Sequence, residues 1–317
     1  MRIYLLLMAV CSSVALADEP YKDIFKIPYI RYTASAEGSL GTGSLDWSVA
    51  KDMRGIATPN ILSELKFSSL KLLGHGVKGE IWVTDGVLQN TYLAMRAHHA
   101  AVNSGSVQDS DYAGNNRTGE YLRTQSDAVG DKVYEIDSEL GYQITLADNF
   151  YFIPTAGLSL KAQRLRIGNP VTVIDTNNPQ NIGQHHAYLD SSYNTRWEGF
   201  SIGGRTIKTL GDHEFSAYAR YYRVNYNATA NWNLRKDFMH PDSFKHTSDG
   251  AGYSIGARYS YHFSENWSGA LELSRTKLEA DAGEDRVNFV DGSQSVAQLN
   301  GVNWAVTSAM VGLEFHH

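Results

Sequence analysis

The sequence predicts an all-β fold, a ten-stranded antiparallel transmembrane barrel, on three observations. First, Lys132 to Ile167 alternates. Tyr134, Ile136, Leu140, Tyr142, Ile144 and Leu146 share one face, and Glu135, Asp137, Glu139, Gln143 and Thr145 share the other. A period of two marks a strand. After the turn Ala147-Asp148-Asn149, Phe150, Phe152, Ala156, Leu158 and Leu160 lie opposite Tyr151, Thr155, Ser159, Lys161 and Gln163. Second, the mature chain offers no convincing amphipathic helix to cover the apolar face of this hairpin, so that face meets lipid. Third, each run exceeds the roughly five or six residues usual for a soluble strand and matches the tilted span of an outer-membrane barrel.

Composition agrees. A net charge of -6 and a negative mean hydropathy suit a barrel, because only alternate strand residues face lipid. Met1 to Ala17 reads as a secretory signal peptide, with Arg2, an apolar stretch from Tyr4 to Val10, and the small-residue end Ala15-Leu16-Ala17. The only cysteine, Cys11, lies inside it, after a branched Val10 that does not suit lipidation. The mature chain therefore has no thiol, which excludes disulfides, zinc-thiolate sites and cysteine nucleophiles. Residues 18–28 read as a periplasmic lead and 29–317 as a single barrel in the outer membrane.

Taken in order, the spans are Tyr29 to Val49, Asn60 to Val83, Val87 to Val102, the opening hairpin, Ala187 to Leu210, Glu214 to Ala228, Gly250 to Phe263, Trp267 to Asp281 and Asn300 to Phe315. The turns at Thr84-Asp85-Gly86, Ala147-Asp148-Asn149, Gly211-Asp212-His213 and Ser264-Glu265-Asn266 are short. The segments Asn103 to Asp131, Gly168 to His186 and Thr229 to Asp249 are long and polar. This asymmetry puts the turns in the periplasm and the loops outside. Strand ten closes on Val311, Leu313 and Phe315, the apolar and aromatic ending typical of such barrels.

In strand order, turn spacing and fragments such as Ser63-Glu64-Leu65-Lys66-Phe67 and Asp137-Ser138-Glu139-Leu140-Gly141-Tyr142, the chain resembles the omptins, ten-stranded outer-membrane aspartyl proteases. It is also similar to the omptin-related protochlamydia outer membrane protein group, for which protease activity is not assured. The resemblance implies an Asp-x-Asp pair beyond strand three, which Asp109-Ser110-Asp111 matches. Two carboxylates one residue apart on an extended segment project to the same side, where repulsion raises one pKa. The resemblance also implies an Asp-x-His pair above strand seven. Gap-free counting from Asp212 puts Asn231-Trp232-Asn233 there, and a carboxamide cannot act as a base. Asp46, near the top of strand one, corresponds to an omptin acid that recognises a basic substrate side chain; a plain lip residue beside an interfacial Trp47 is the alternative.

Three functions remain open: a non-proteolytic barrel whose mouth binds a surface ligand or partner, an aspartyl endopeptidase cleaving near basic residues, and a narrow passive pore. Inward bulky charges such as Glu135, Asp137, Glu139, Arg220, Arg258 and Glu272 argue against the pore. Neither a cofactor, a resident metal nor nucleic acid is expected. Three strands turn from apolar to basic at their outer ends, through Arg164 and Arg166, Arg223, and Arg275 and Lys277. Snorkelling into water would explain these residues. The sharper expectation, which the resemblance shares, is a belt binding the phosphates of lipopolysaccharide.

Overall fold

The structure, a computed structural model, describes residues 29–317 except 129, 187 and 188; the expected signal peptide and lead lie outside the described residues. The strands are β1 (Ile30–Val49), β2 (Ser63–Val83), β3 (Thr91–Tyr112), β4 (Glu120–Asp127), β5 (Asp131–Tyr142), β6 (Ile144–Ala147), β7 (Phe150–Asp175), β8 (Ser191–Leu210), β9 (His213–Asn231), β10 (Phe244–His262), β11 (Trp267–Ala280), β12 (Gly283–Asn288) and β13 (Gln294–His316). All pairs are antiparallel, and β1 closes on β13 from Thr33 opposite His316 to Val49 opposite Leu299. β4 lies above β5, because both pair with β3 and β7. β12 lies above β11 between β10 and β13 in the same way, and β6 prolongs β5 along β7. The wall is therefore a closed ring of ten spans with no free edge in the lipid layer.

The wall continues where the sequence reads loops. β3 runs on to Tyr112 and returns through β4, β7 reaches Asp175, β9 reaches Asn231, β10 starts at Phe244 and β13 at Gln294. Above the membrane the outer face needs no apolar side chains. Asp, Asn, Gly and Ser are then tolerated, and the alternation that marks a span disappears. The short connections collect at the opposite end, where Gly86, Asn149 and Gly211 take the positive φ that tight turns require.

Outward residues such as Leu40, Val77, Met95, Leu158, Ile202 and Leu273 are exposed and form the lipid-facing band. Inside, the lumen is filled in layers. Arg96 bonds Glu37 at 2.6 Å and Glu272 at 2.9 Å, and Arg258 bonds Glu37, Glu272 and Glu314 at 2.8–2.9 Å. Arg205 holds Glu80, Arg220 holds Glu139, and Lys161 reaches Asp137 at 3.0 Å. This ionic girdle surrounds a chamber of only about 80 Å³. On its outer side sits an apolar layer in which Leu45, Leu65, Trp197 and Trp304 are fully buried. On its inner side a polar vestibule of about 420 Å³ opens toward the short turns.

Candidate functional site in the extracellular mouth

Two irregularities decide which way the upper part of β3 faces. Below them the even residues Tyr92, Ala94, Ala100 and Val102 are buried inward. The β2–β3 ladder then shifts at Ser68, Lys71 and Leu72, opposite Ser106, Ser104 and Val102. Above the shift the odd residues Val107, Asp109 and Asp111 pair with Phe67, Leu65 and Ser63, and Phe67 and Leu65 are buried. Without this double bulge the alternation from Tyr92 would point both aspartates outward. Bulges commonly re-aim side chains beside functional sites.

Asp109 lines a cavity of about 250 Å³ between β3, β4, β7 and β8. Leu122, Ile167, Pro170, Leu189, Trp232 and Leu234 form its apolar walls, and Thr124, Thr172, Ser191 and His186 supply polar groups. No lysine or arginine is among the lining residues. Burial, reinforced by the charge of Asp111, pushes the Asp109 carboxyl up to about 7. Burial also raises Asp111, while the Ser63 hydroxyl and the charge of Arg235 draw it back. Arg235 is held by Asp237 at 2.8 and 3.0 Å and lies 4.1 Å from the Phe238 ring centroid. Both carboxyls are thus held above the ordinary carboxylate range, as burial in a poorly solvated site requires.

The facing strand β9 presents no imidazole to the mouth. On β9 the inward residues are Val224, Tyr226, Ala228 and Ala230, all buried. Asn231 pairs with Ser192 and joins Ser192, Asn194 and Arg164 around an outer cleft. The ladder of β9 with β8 is unbroken, so the position reached by gap-free counting has outward parity; this corrects its assignment to the mouth. Asn231 Oδ1 instead meets His240 Nδ1 at 2.8 Å. Asn233 Oδ1 accepts from Asp190 N at 2.9 Å and Ser191 Oγ at 3.1 Å, tying two segments of the rim.

Residues 42–317 match the protochlamydia outer membrane protein family. The chain belongs to that family. Among solved structures, the outer membrane protease OmpT from Escherichia coli is similar at a TM-score of 0.74 and 12% identity, over 92% of this chain and 98% of that one. The translocator domain of the autotransporter NalP from Neisseria meningitidis follows at 0.38 and 12%, over 93% and 90%. No curated protein sequence matches. The likeness to OmpT fixes an omptin-like fold and, with the family, an outer-membrane location.

Other expected residues of this family member fall as follows. Asp46 lies between the buried Leu45 and Trp47, hence on the outer face, where it accepts Asn303 Nδ2 at 2.9 Å. Trp47 points inward against His246 at 4.9 Å, not toward an interface. His246 is fully buried; its Nδ1 meets the Tyr193 hydroxyl at 2.7 Å, and its Nε2 lies 3.2 Å from Asp285 Oδ1 without the alignment of a hydrogen bond. The sequence pattern places this imidazole in a loop, because β10 begins at Phe244, six residues before its apolar alternation does. His186, also assigned to a loop, reaches the cavity and meets Thr172 Oγ1 at 2.7 Å. Arg164, Arg166, Arg223 and Arg275 are exposed, and Lys277 shares their outward parity. Arg166 is paired with Asp190, and Lys277 with Glu279. Lys132, Arg164 and Arg166 line the outer cleft of about 300 Å³.

Proposed function

We propose that this protein is a closed, non-proteolytic outer-membrane binding protein whose extracellular mouth takes a ligand presenting a cation on an apolar stem, such as a lysine side chain of a surface partner. The observation that carries the reading is the pairing of Asp109 and Asp111 without an imidazole on the facing β9, whose inward positions are Tyr226, Ala228 and Ala230. A bound cation would ionise Asp109 in a cavity that otherwise keeps it partly protonated. The apolar walls would take the stem. Folded protein mixed with a peptide containing paired lysines should bind it without cutting it, and Asp109→Asn with Asp111→Asn should abolish binding. Cleavage at ordinary enzyme rates defeats the proposal.

His186 favours one alternative, an altered endopeptidase in which this loop imidazole serves as base, because it shares the cavity with Asp109. Cleavage lost in His186→Ala would support it. The outer face supports a second partner, lipopolysaccharide. Its phosphates fit the cleft of Lys132, Arg164 and Arg166 through paired charge-assisted hydrogen bonds, and Arg223 and Arg275 extend the basic surface around the wall. Changing Arg164, Arg166, Arg275 and Lys277 to serine should reduce the lipopolysaccharide that co-purifies; an unchanged amount removes the belt as a binding site.

A further inference from the structure

We propose that His75 and His99 form a two-histidine site for a divalent transition cation on the outer wall of the barrel. They stand directly opposite each other on β2 and β3, and their ring centroids are 5.3 Å apart with planes at 59°. Metal–nitrogen bonds of about 2.0–2.1 Å at a tetrahedral angle place two imidazole centroids roughly 5 Å apart. The free rings thus already hold the spacing that a shared ion requires. The strand ladder fixes it, because cross-strand neighbours on one face are held by the backbone.

Both rings are chemically available. Among the described residues neither makes a hydrogen bond, whereas the adjacent His98 turns into the lumen and meets Ser39 Oγ at 2.8 Å. The other close histidine pair, His262 and His316 with centroids 4.9 Å apart, is committed. His316 engages Thr33 through Nδ1 and Ser268 through Nε2. Inner-face glycines belong to the same arrangement: a Cβ on Gly74 would stand 2.8 Å from His98 Cε1, so this glycine lets His98 lie inward while His75 and His99 stay outside.

The surroundings set what binds and how. His75 lies between the exposed Leu73 and Val77, with Lys71 and Asn103 beginning the polar zone above, so the pair sits in the outermost part of the lipid band, one outward-facing residue of β2 below its upper edge. A cation there costs far less than at mid-membrane. No group of three or more histidine, cysteine or acidic residues able to hold a metal exists among the described residues. The protein therefore supplies two ligands, and the rest of the shell would come from water or headgroup oxygens reaching down from the polar zone at Lys71 and Asn103. Imidazole selects zinc, copper or nickel over magnesium or calcium. On the other side of His99 the Tyr134 ring packs at 5.0 Å, backing its orientation.

The test uses the folded barrel in detergent, titrated with ZnCl₂ and, separately, CuSO₄. One saturable zinc ion per barrel is expected. His75→Asn and His99→Asn should each weaken it by about tenfold or more, since losing even an outer partner of a metal ligand costs roughly 10- to 100-fold. His98→Asn should bind as the parent does. Bound copper should report two imidazole nitrogens by electron paramagnetic resonance. Heat-dependent gel mobility of each variant confirms the folded barrel, and His75→Gln offers a second route if an asparagine variant fails to fold. Absence of saturable binding, or binding unchanged in the double variant, overturns the site; neither result bears on the mouth cavity.

Discussion

Asp109 carries the residue-scale chemistry. Burial and the charge of Asp111 raise its folded pKa from 3.8 to about 7. A carboxyl raised on folding favours the folded mouth fully below the unfolded pKa, and that contribution is lost as pH rises through the folded value. The mouth should therefore loosen between about pH 4 and pH 7, by a free energy on the order of a few kcal/mol spread over the pair. Hydrogen exchange of β3 and β4 as a function of pH checks this. Asp109→Asn should flatten the profile, and an equally steep profile in the variant would assign the titration elsewhere. Asn231 supplies a second prediction. Because it faces outward beside Ser192, Asn231→Asp combined with Asn233→His should produce no dibasic cleavage; a clear gain would show that this segment can turn its side chains into the mouth.

Each element was legible in the sequence where lipid imposes alternation, and illegible where water does not. The hairpin of β5 to β7 places Ile136, Leu140 and Leu158 outside and Glu139 and Lys161 inside, as the pattern of two predicts. Above the membrane, Gln108 to Tyr112 form strand with no such pattern, and the double bulge that aims Asp109 inward leaves no compositional mark beyond Ser68 and Ser69. The carboxylate pair could thus be found by type and spacing, while its direction could not. Counting failed on β9 for the complementary reason: with no bulge there, parity alone decides, and 231 is odd where the inward residues are even. The bulge has its own test. Ser69 sits at φ 52, a left-handed conformation that costs a side chain roughly 1–2 kcal/mol. Ser69→Gly should raise the unfolding midpoint and Ser69→Val should lower it, measured by heat-dependent gel mobility; the opposite order would mean that the bulge relaxes.

At the scale of the whole molecule, two seals of different chemistry lie in series along the lumen, the ionic girdle and the apolar layer on its outer side. The girdle is expensive to break singly, because removing Arg96 leaves Glu37 and Glu272 each short of a buried partner. Loss of one member of a buried ion pair costs about 3–5 kcal/mol, so Arg96→Ala should lower the temperature at which the folded band is lost. It should not open a pore. Trp197, Trp304, Leu45 and Leu65 remain closed above the gap, and the polar groups of that layer, such as the Tyr193 and Tyr226 hydroxyls, are bonded to each other and to His246, so an ion crossing it would lose its water without adequate replacement. In planar bilayers both the parent and Arg96→Ala should therefore stay at baseline conductance. Steady ion current through Arg96→Ala alone would mean that the girdle is the only effective seal and that the apolar layer parts readily, which would return the barrel to the class of narrow pores.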